Sequence, residues 1–180
     1  ASMTVADKKN IGDDFSPALT DYPNDPANID AEYGRGRADE RVRVVASGVF
    51  KLPFHFTFAP TVEYGSGQPW NRRRGYDYNG DGKNSDRLLG VTKFSEDGPT
   101  FAQVNLRLQH KVAMGSRASL DVVADVFNLL NRVNYDVTSV FNGEFLSGPT
   151  LANAALAAVP NPRYGTFGAA LPSRELQLGV

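Results

Sequence analysis

The chain contains no cysteine in its 180 residues, so it forms neither a disulfide nor a thiolate metal site. That suits a bacterial envelope protein as well as a cytosolic one, and the compartment has to be read from other features. Histidine is scarce too: His55 and His110 stand on different predicted strands with no third ligand at metal spacing, and neither is assigned a catalytic role. No run of 18 apolar residues occurs, which argues against a transmembrane helix, and the amino-terminal residues lack the charged-then-apolar order of a signal peptide. Neither charge dominates: 19 basic residues against 20 acidic ones give a net charge of -1, and nucleic acid is not an expected partner. A serine–histidine–aspartate set, a glycine loop for phosphate and paired carboxylates in an apolar setting are all missing, so no catalytic residue and no enzymatic activity are expected. The length suits one domain. A mean hydropathy of -0.34 does not separate a water-soluble protein from one that crosses a membrane with strands, because such strands place a polar residue at every second position.

The apolar residues that are present recur with a period of two. In the stretch Phe101 to Val112, Ala102, Val104, Leu106, Leu108 and Val112 share one parity, and Gln103, Asn105, Arg107, Gln109 and Lys111 share the other. That alternation predicts a strand rather than a helix. Over 118–130, Ala118, Leu120, Val122, Ala124 and Val126 oppose Ser119, Asp121 and Asp125, so the two stretches form a hairpin turning near Gly115. The same signature, less regular, covers 41–50 (Val42, Val44, Ala46 and Phe50 against Arg41, Arg43 and Ser47) and 55–65 (Phe56, Phe58, Val62 and Tyr64 against His55, Thr57, Thr61 and Glu63). It returns in 1–8 and 174–180, giving six predicted strands. A short helix over 151–158, inside a loop, is the one departure from an all-β reading.

The connections alternate in length: long at 9–39, short at 51–54, long at 68–100, short at 113–117 and long at 131–171. Long connections without structure of their own are uncommon in compact domains unless they function. A transmembrane β-barrel supplies a reason for the alternation, with short periplasmic turns and long extracellular loops. The apolar parity then faces lipid, the polar parity faces the lumen, and closure satisfies every backbone group within the bilayer. The competing architecture is an antiparallel sandwich with one wet face.

In order along the chain, ERVRVVASGVFKLPF, YGSGQPWN, DYNGDGKNSDRLLG, FAQVNLRLQHKV, VVADVFNLLNRVNY and SRELQLGV resemble the last strands and loops of a TonB-dependent outer-membrane receptor. The nearest kind is the Oar-like group, which carries a carboxypeptidase-regulatory-like domain at its amino terminus. The likeness spans nearly the whole chain, with VFNLLNRVNY and NGDGKNSDR its most specific parts. It implies that residues 1–180 are a carboxyl-terminal segment of an all-β, antiparallel up-and-down transmembrane β-barrel with long extracellular loops. It also implies a place in the bacterial outer membrane and a share in energised ligand uptake. The implied partners are outer-membrane lipid, the remainder of the barrel with its plug, and TonB, reached through the amino-terminal part of such a receptor. The family's barrel has about 22 strands and a plugged lumen, so six strands are part of a wall completed by the same chain or another. Family members usually end on an aromatic residue, where this sequence has Val180. A second reading, of a different class, is a secreted or surface calcium-stabilised β module for adhesion or carbohydrate binding.

Within the second long loop, Asp77, Asn79 and Asp81 occupy the first, third and fifth positions of an EF-hand-like pattern, with Gly82 at the sixth and the Lys83 carbonyl at the seventh. The twelfth position is Leu88 instead of a bidentate glutamate, and Asp86 is the candidate for the missing carboxylate. An irregular array of oxygen donors suits calcium better than magnesium or a transition metal. The same residues also suit a turn closed by Asp and Asn side chains on backbone amides, with no cation. Trp70, Tyr76 and Tyr78 lie too far into the loop for an interfacial girdle and are the candidates for stacking on a ligand, whereas Tyr64 suits the girdle. Arg72 to Arg74 would serve an anionic ligand or form a solvated face. Arg41, Arg43, Glu63, Arg107, Lys111, Asp121 and Asp125, on the polar parity, are expected to pair across strands.

Overall fold

In the computed structural model, which describes residues 1–12, 23–82, 86–136, 143–148 and 158–180, the chain is all-β and built on one antiparallel sheet. Its strands are β1 (Ser2–Val5), β2 (Val42–Ser47), β3 (Phe50–Leu52), β4 (Phe56–Gly65), β5 (Phe101–Met114), β6 (Ala118–Phe127) and β7 (Glu175–Gly179). The order in the sheet is β1-β2-β4-β5-β6-β7, with β3 also beside β4. β2 and β3 continue one ladder, since Ser47 faces Thr61 and Phe50 faces Phe58. The break between them falls opposite Pro60, which has no N–H to donate. Among the described residues no helix is long and apolar enough to cross a membrane, which leaves crossing by strands untouched.

The register gathers the apolar parity of every strand on one face. Met3 faces Val44, Val44 faces Tyr64 and Tyr64 faces Ala102, while Phe58, Leu108, Ala124 and Leu178 form a second row across four strands. Val62 and Leu108, each flanked by a strand on both sides, keep 43% and 38% of their surface exposed, so no second layer among the described residues covers them; Leu120 and Val122, beyond the reach of β7, keep 38% and 40%. Phe94, in a loop, is the one large hydrophobic side chain buried among the described residues. On the opposite face Arg107 grips Asp125 through two bonds of 2.7 and 2.8 Å, and Arg43 reaches Glu63 at 3.2 Å. Lys111 stands opposite Asp121. Arg41 departs from the expected cross-strand set, pairing with Asp7 and Asp39 at the end of the sheet.

Up-and-down order also separates the connections by length. The turns Pro53–His55 and 115–117 lie at one end of the sheet, and the connections 6–41, 66–100 and 128–174 lie at the other. In the first turn Phe54 and His55 are both left-handed (φ 60° and 62°) and the Phe56 N–H donates to the Pro53 carbonyl, the mirror-image turn that matches the twist of a hairpin. At the other end the three long connections fold together into a loop layer whose buried side chains, Phe94 apart, are mainly polar: Glu32, Asp39, Asp86, Arg87, Lys93, Asn128 and Asn134. The usual distribution is inverted: apolar side chains line an open sheet face and charged ones fill the loops.

Four expectations on boundaries move. The strand expected over 41–50 is interrupted after Ser47 and resumes as Phe50–Leu52, so the turn expected at 51–54 falls at Pro53–His55; β5 runs on to Met114, which shortens the turn expected at 113–117 to 115–117. β6 stops at Phe127 rather than running on to Leu130, because Asn128 adopts φ 48° and turns the chain out of the sheet. The first strand is shorter than the alternating 1–8 because Lys9–Asn10 pairs with Gly34–Arg35 in the loop layer instead. The helix expected over 151–158 lies, as far as residue 157, outside the described residues.

Candidate functional site

The loop layer is held by charge. Fully buried Asp39 accepts the Lys8 backbone N–H at 2.8 Å and pairs with Nε of Arg35 and Nε of Arg41, both at 2.9 Å. Burial pushes its pKa up, but the amide and the two guanidiniums outweigh burial and hold the carboxyl below its ordinary value. Glu32 and Arg87 form a buried pair at 2.7 Å, and Glu32 also accepts the Asn24 N–H at 2.8 Å. The buried Lys93 ammonium donates to the carbonyls of Asn10 and Ile11 and to the Asn10 side-chain oxygen, at 2.7–3.2 Å. Arg35 and Asp97 meet at 2.7 Å. Polar contacts, more than packed hydrocarbon, join the first long connection to the second.

Asp77, Asn79 and Asp81 come together in one tight turn. Asp77 Oδ1 accepts the N–H groups of Gly80 (2.7 Å) and Asp81 (3.1 Å), and its Oδ2 accepts that of Gly82 (2.8 Å). Asn79 Oδ1 accepts the Asp81 N–H at 2.9 Å, while its amide nitrogen donates to the Asn24 carbonyl of the first connection, also at 2.9 Å. Gly80 and Gly82 take φ of 78° and 83°, the left-handed region in which glycine is unstrained. Asp86 lies under the same turn. It is buried, and its Oδ2 accepts the N–H groups of Tyr78 and Asn79 at 2.6 and 3.2 Å, which closes the turn. The Lys83 carbonyl lies outside the described residues. Among the described residues no three His, Cys, Asp or Glu side chains form a metal-binding group. The turn is therefore shaped by its own amides, and its side-chain oxygens keep further lone pairs that a calcium ion would have to use.

The three aromatics expected to meet a ligand fall into two clusters. Trp70 packs edge-on against Tyr164 of the third connection at 5.8 Å, with its Nε1 donating to the Asp97 carbonyl, and Tyr164 meets Phe145 edge-on at 5.2 Å. Tyr76 and Tyr78 meet each other edge-on at 6.4 Å, and the Arg74 guanidinium lies 3.8 Å over the Tyr78 ring. Tyr78 is exposed and accessible from outside. Arg72 to Arg74 are drawn into the layer rather than standing as a solvated face. Arg72 pairs with Glu96 at 3.0 Å, Arg74 donates to the Arg87 carbonyl at 3.3 Å, and the Arg73 backbone bonds to Gly143 and Phe145 of the third connection.

The stretch VFNLLNRVNY owes its three asparagines to the ends of strands. Asn128, buried, accepts the Arg132 N–H at 3.1 Å and donates to the Arg132 carbonyl at 2.9 Å, closing the turn that ends β6. Asn131 accepts the Arg174 N–H at 3.1 Å, at the entrance to β7. Asn134 accepts the Ala102 N–H at 3.0 Å and donates to the Ala102 carbonyl at 2.9 Å, so its amide substitutes for the peptide of a neighbouring strand. Sequence reasoning assigned these residues no role; their spacing of three was the signal that could have found them. Comparison with protein-family models, curated proteins and solved structures found no match to this chain.

Proposed function

We propose that this chain is a carboxyl-terminal segment of a TonB-dependent receptor barrel in the bacterial outer membrane, taking part in energised uptake of a ligand. The uncovered apolar face of the sheet carries the proposal. A sheet with Val62, Leu108, Leu120 and Val122 on one side and the Arg107–Asp125 and Arg43–Glu63 pairs on the other is best accommodated between an apolar medium and a polar one. Lipid outside a barrel and water inside it provide that pair of media. The 14 residues of β5 extend about 45 Å at roughly 3.3 Å each and, tilted by about 45°, cross about 32 Å, enough for a hydrocarbon core of about 30 Å. The gathering of long connections at one end and short turns at the other supports the same arrangement. The likeness of VFNLLNRVNY and NGDGKNSDR to Oar-like receptors is what suggests the family. On this reading the chain supplies wall and extracellular loops, the outer edges of β1 and β7 take further strands, and the rest of the receptor supplies the plug and the contact with TonB. A water-soluble calcium-stabilised module would bury the same apolar face in a core of its own, and among the described residues nothing covers it.

Adjacent residues on opposite faces supply the test. Leu108→Arg is expected to destabilise the folded, lipid-embedded protein by about 2–4 kcal/mol, and Gln109→Arg to change it by less than about 0.5 kcal/mol. Equal effects, or a compact monomer that needs no detergent, would sink the barrel reading.

A further inference from the structure

We propose that Arg73 is the binding group for an oxyanion, a carboxylate or phosphate carried by a ligand that reaches the loop layer. The Arg73 side chain keeps 15% of its surface exposed at the meeting of the second and third long connections. The carboxylate it pairs with among the described residues, Glu144, is 3.8 Å away, outside hydrogen-bond range, and the guanidinium donates to no protein acceptor there. Nε of the adjacent Arg72 is buried without a hydrogen-bond partner as well. Burial lowers the proton affinity of Arg73, Glu144 restores part of it, and repulsion from Arg37 lowers it again, leaving a value below that of an ordinary arginine.

A structural duty does not account for this side chain. The two connections are already joined by the Arg73 backbone, whose N–H donates to the Gly143 carbonyl at 3.0 Å and whose carbonyl accepts the Phe145 N–H at 2.8 Å. A largely buried cation that finds no protein acceptor among the described residues destabilises the loops that hold it. An oxyanion presents two acceptors at the spacing of the guanidinium fork, supplying the hydrogen bonds that Glu144, 3.8 Å away, does not. The inference uses the loop layer alone, so its failure and the failure of the barrel reading are separate outcomes.

The test is thermal unfolding of the whole chain in detergent with sodium phosphate or sodium acetate, against sodium chloride at equal ionic strength. At least one oxyanion is expected to raise Tm saturably above the chloride control. Arg73→Gln is expected to weaken that apparent affinity at least tenfold, while its Tm without oxyanion equals or exceeds that of the parent. The inference is overturned if neither probe gives a saturable rise, or if the rise survives Arg73→Gln. A variant that melts lower before any oxyanion is added also overturns it, because Arg73 would then be holding the loops together.

Discussion

Replacing Asn134 by alanine removes a side chain that stands in for a strand. The β5–β6 ladder ends where Val126 faces Leu106, so the first residues of β5 have no β6 residue beside them. Residues just past the end of β6 fill the gap: the Leu129 N–H donates to the Val104 carbonyl at 2.8 Å, and the Asn134 amide takes both the N–H and the carbonyl of Ala102. Asn134 is only 2% exposed, so water does not readily replace it. Two hydrogen bonds of about 1 kcal/mol net each are lost, and two backbone groups are left poorly solvated, which brings the expected loss to about 2–4 kcal/mol. Asn131→Ala removes one bond, to the exposed Arg174 N–H, and should cost about 0.5–1 kcal/mol. Urea unfolding in detergent micelles, followed by far-ultraviolet circular dichroism, reads both losses as a lower midpoint at unchanged m-value. A loss under about 1 kcal/mol for Asn134→Ala, or one no larger than that of Asn131→Ala, would refute the view that the Asn134 amide acts as a strand peptide.

Two further outcomes follow from the loop layer. The Asp39 carboxyl lies below its ordinary value of 3.8, so as pH falls the unfolded chain takes up this proton before the folded one does. Its contribution is complete above about pH 5 and is lost as pH falls from about 4 through the folded value; Asp39→Asn should lower stability by about 2–3 kcal/mol at pH 7 and flatten the acid limb. An acid limb of unchanged steepness in Asp39→Asn would count against the ion-pair account. For the Asp77 turn, millimolar calcium is expected to slow amide exchange at Gly80 and Gly82, chelation to reverse the effect, and Asp81→Ala to abolish it while keeping the Gly80 and Gly82 N–H bonds to Asp77. Exchange rates indifferent to calcium in the parent chain would leave the turn a purely amide-closed one.

The strands were legible because alternation is a local property of the backbone. Parity alone assigned Leu106, Leu108, Val122 and Val126 to one face and Arg107 and Asp125 to the other, and the register repeats that division across the sheet. The lengths of the connections announced an up-and-down order for the same reason, since successive antiparallel strands return the chain to alternate ends. The irregular backbone of the loops carries no period from which contacts can be read. The 77–86 stretch shows this: spacing grouped Asp77, Asn79 and Asp81, but it did not show that Asp86 lies under the turn and accepts the Tyr78 N–H, or that Asn79 reaches Asn24 on another connection. Arg73 likewise looks, in sequence, like the middle of a solvated basic run. It becomes a partly buried cation only when the Glu144 segment from the third connection is laid beside it.

By itself, then, the sequence determined an all-β chain of six main strands, the face each side chain takes and the separation of short turns from long connections, because these follow from a two-residue repeat and chain length. The tertiary structure alone decided that nothing among the described residues covers the apolar face, that asparagines finish the strands and that charge is buried in the loops. Each of those depends on residues far apart in the chain meeting in space, which no local pattern encodes.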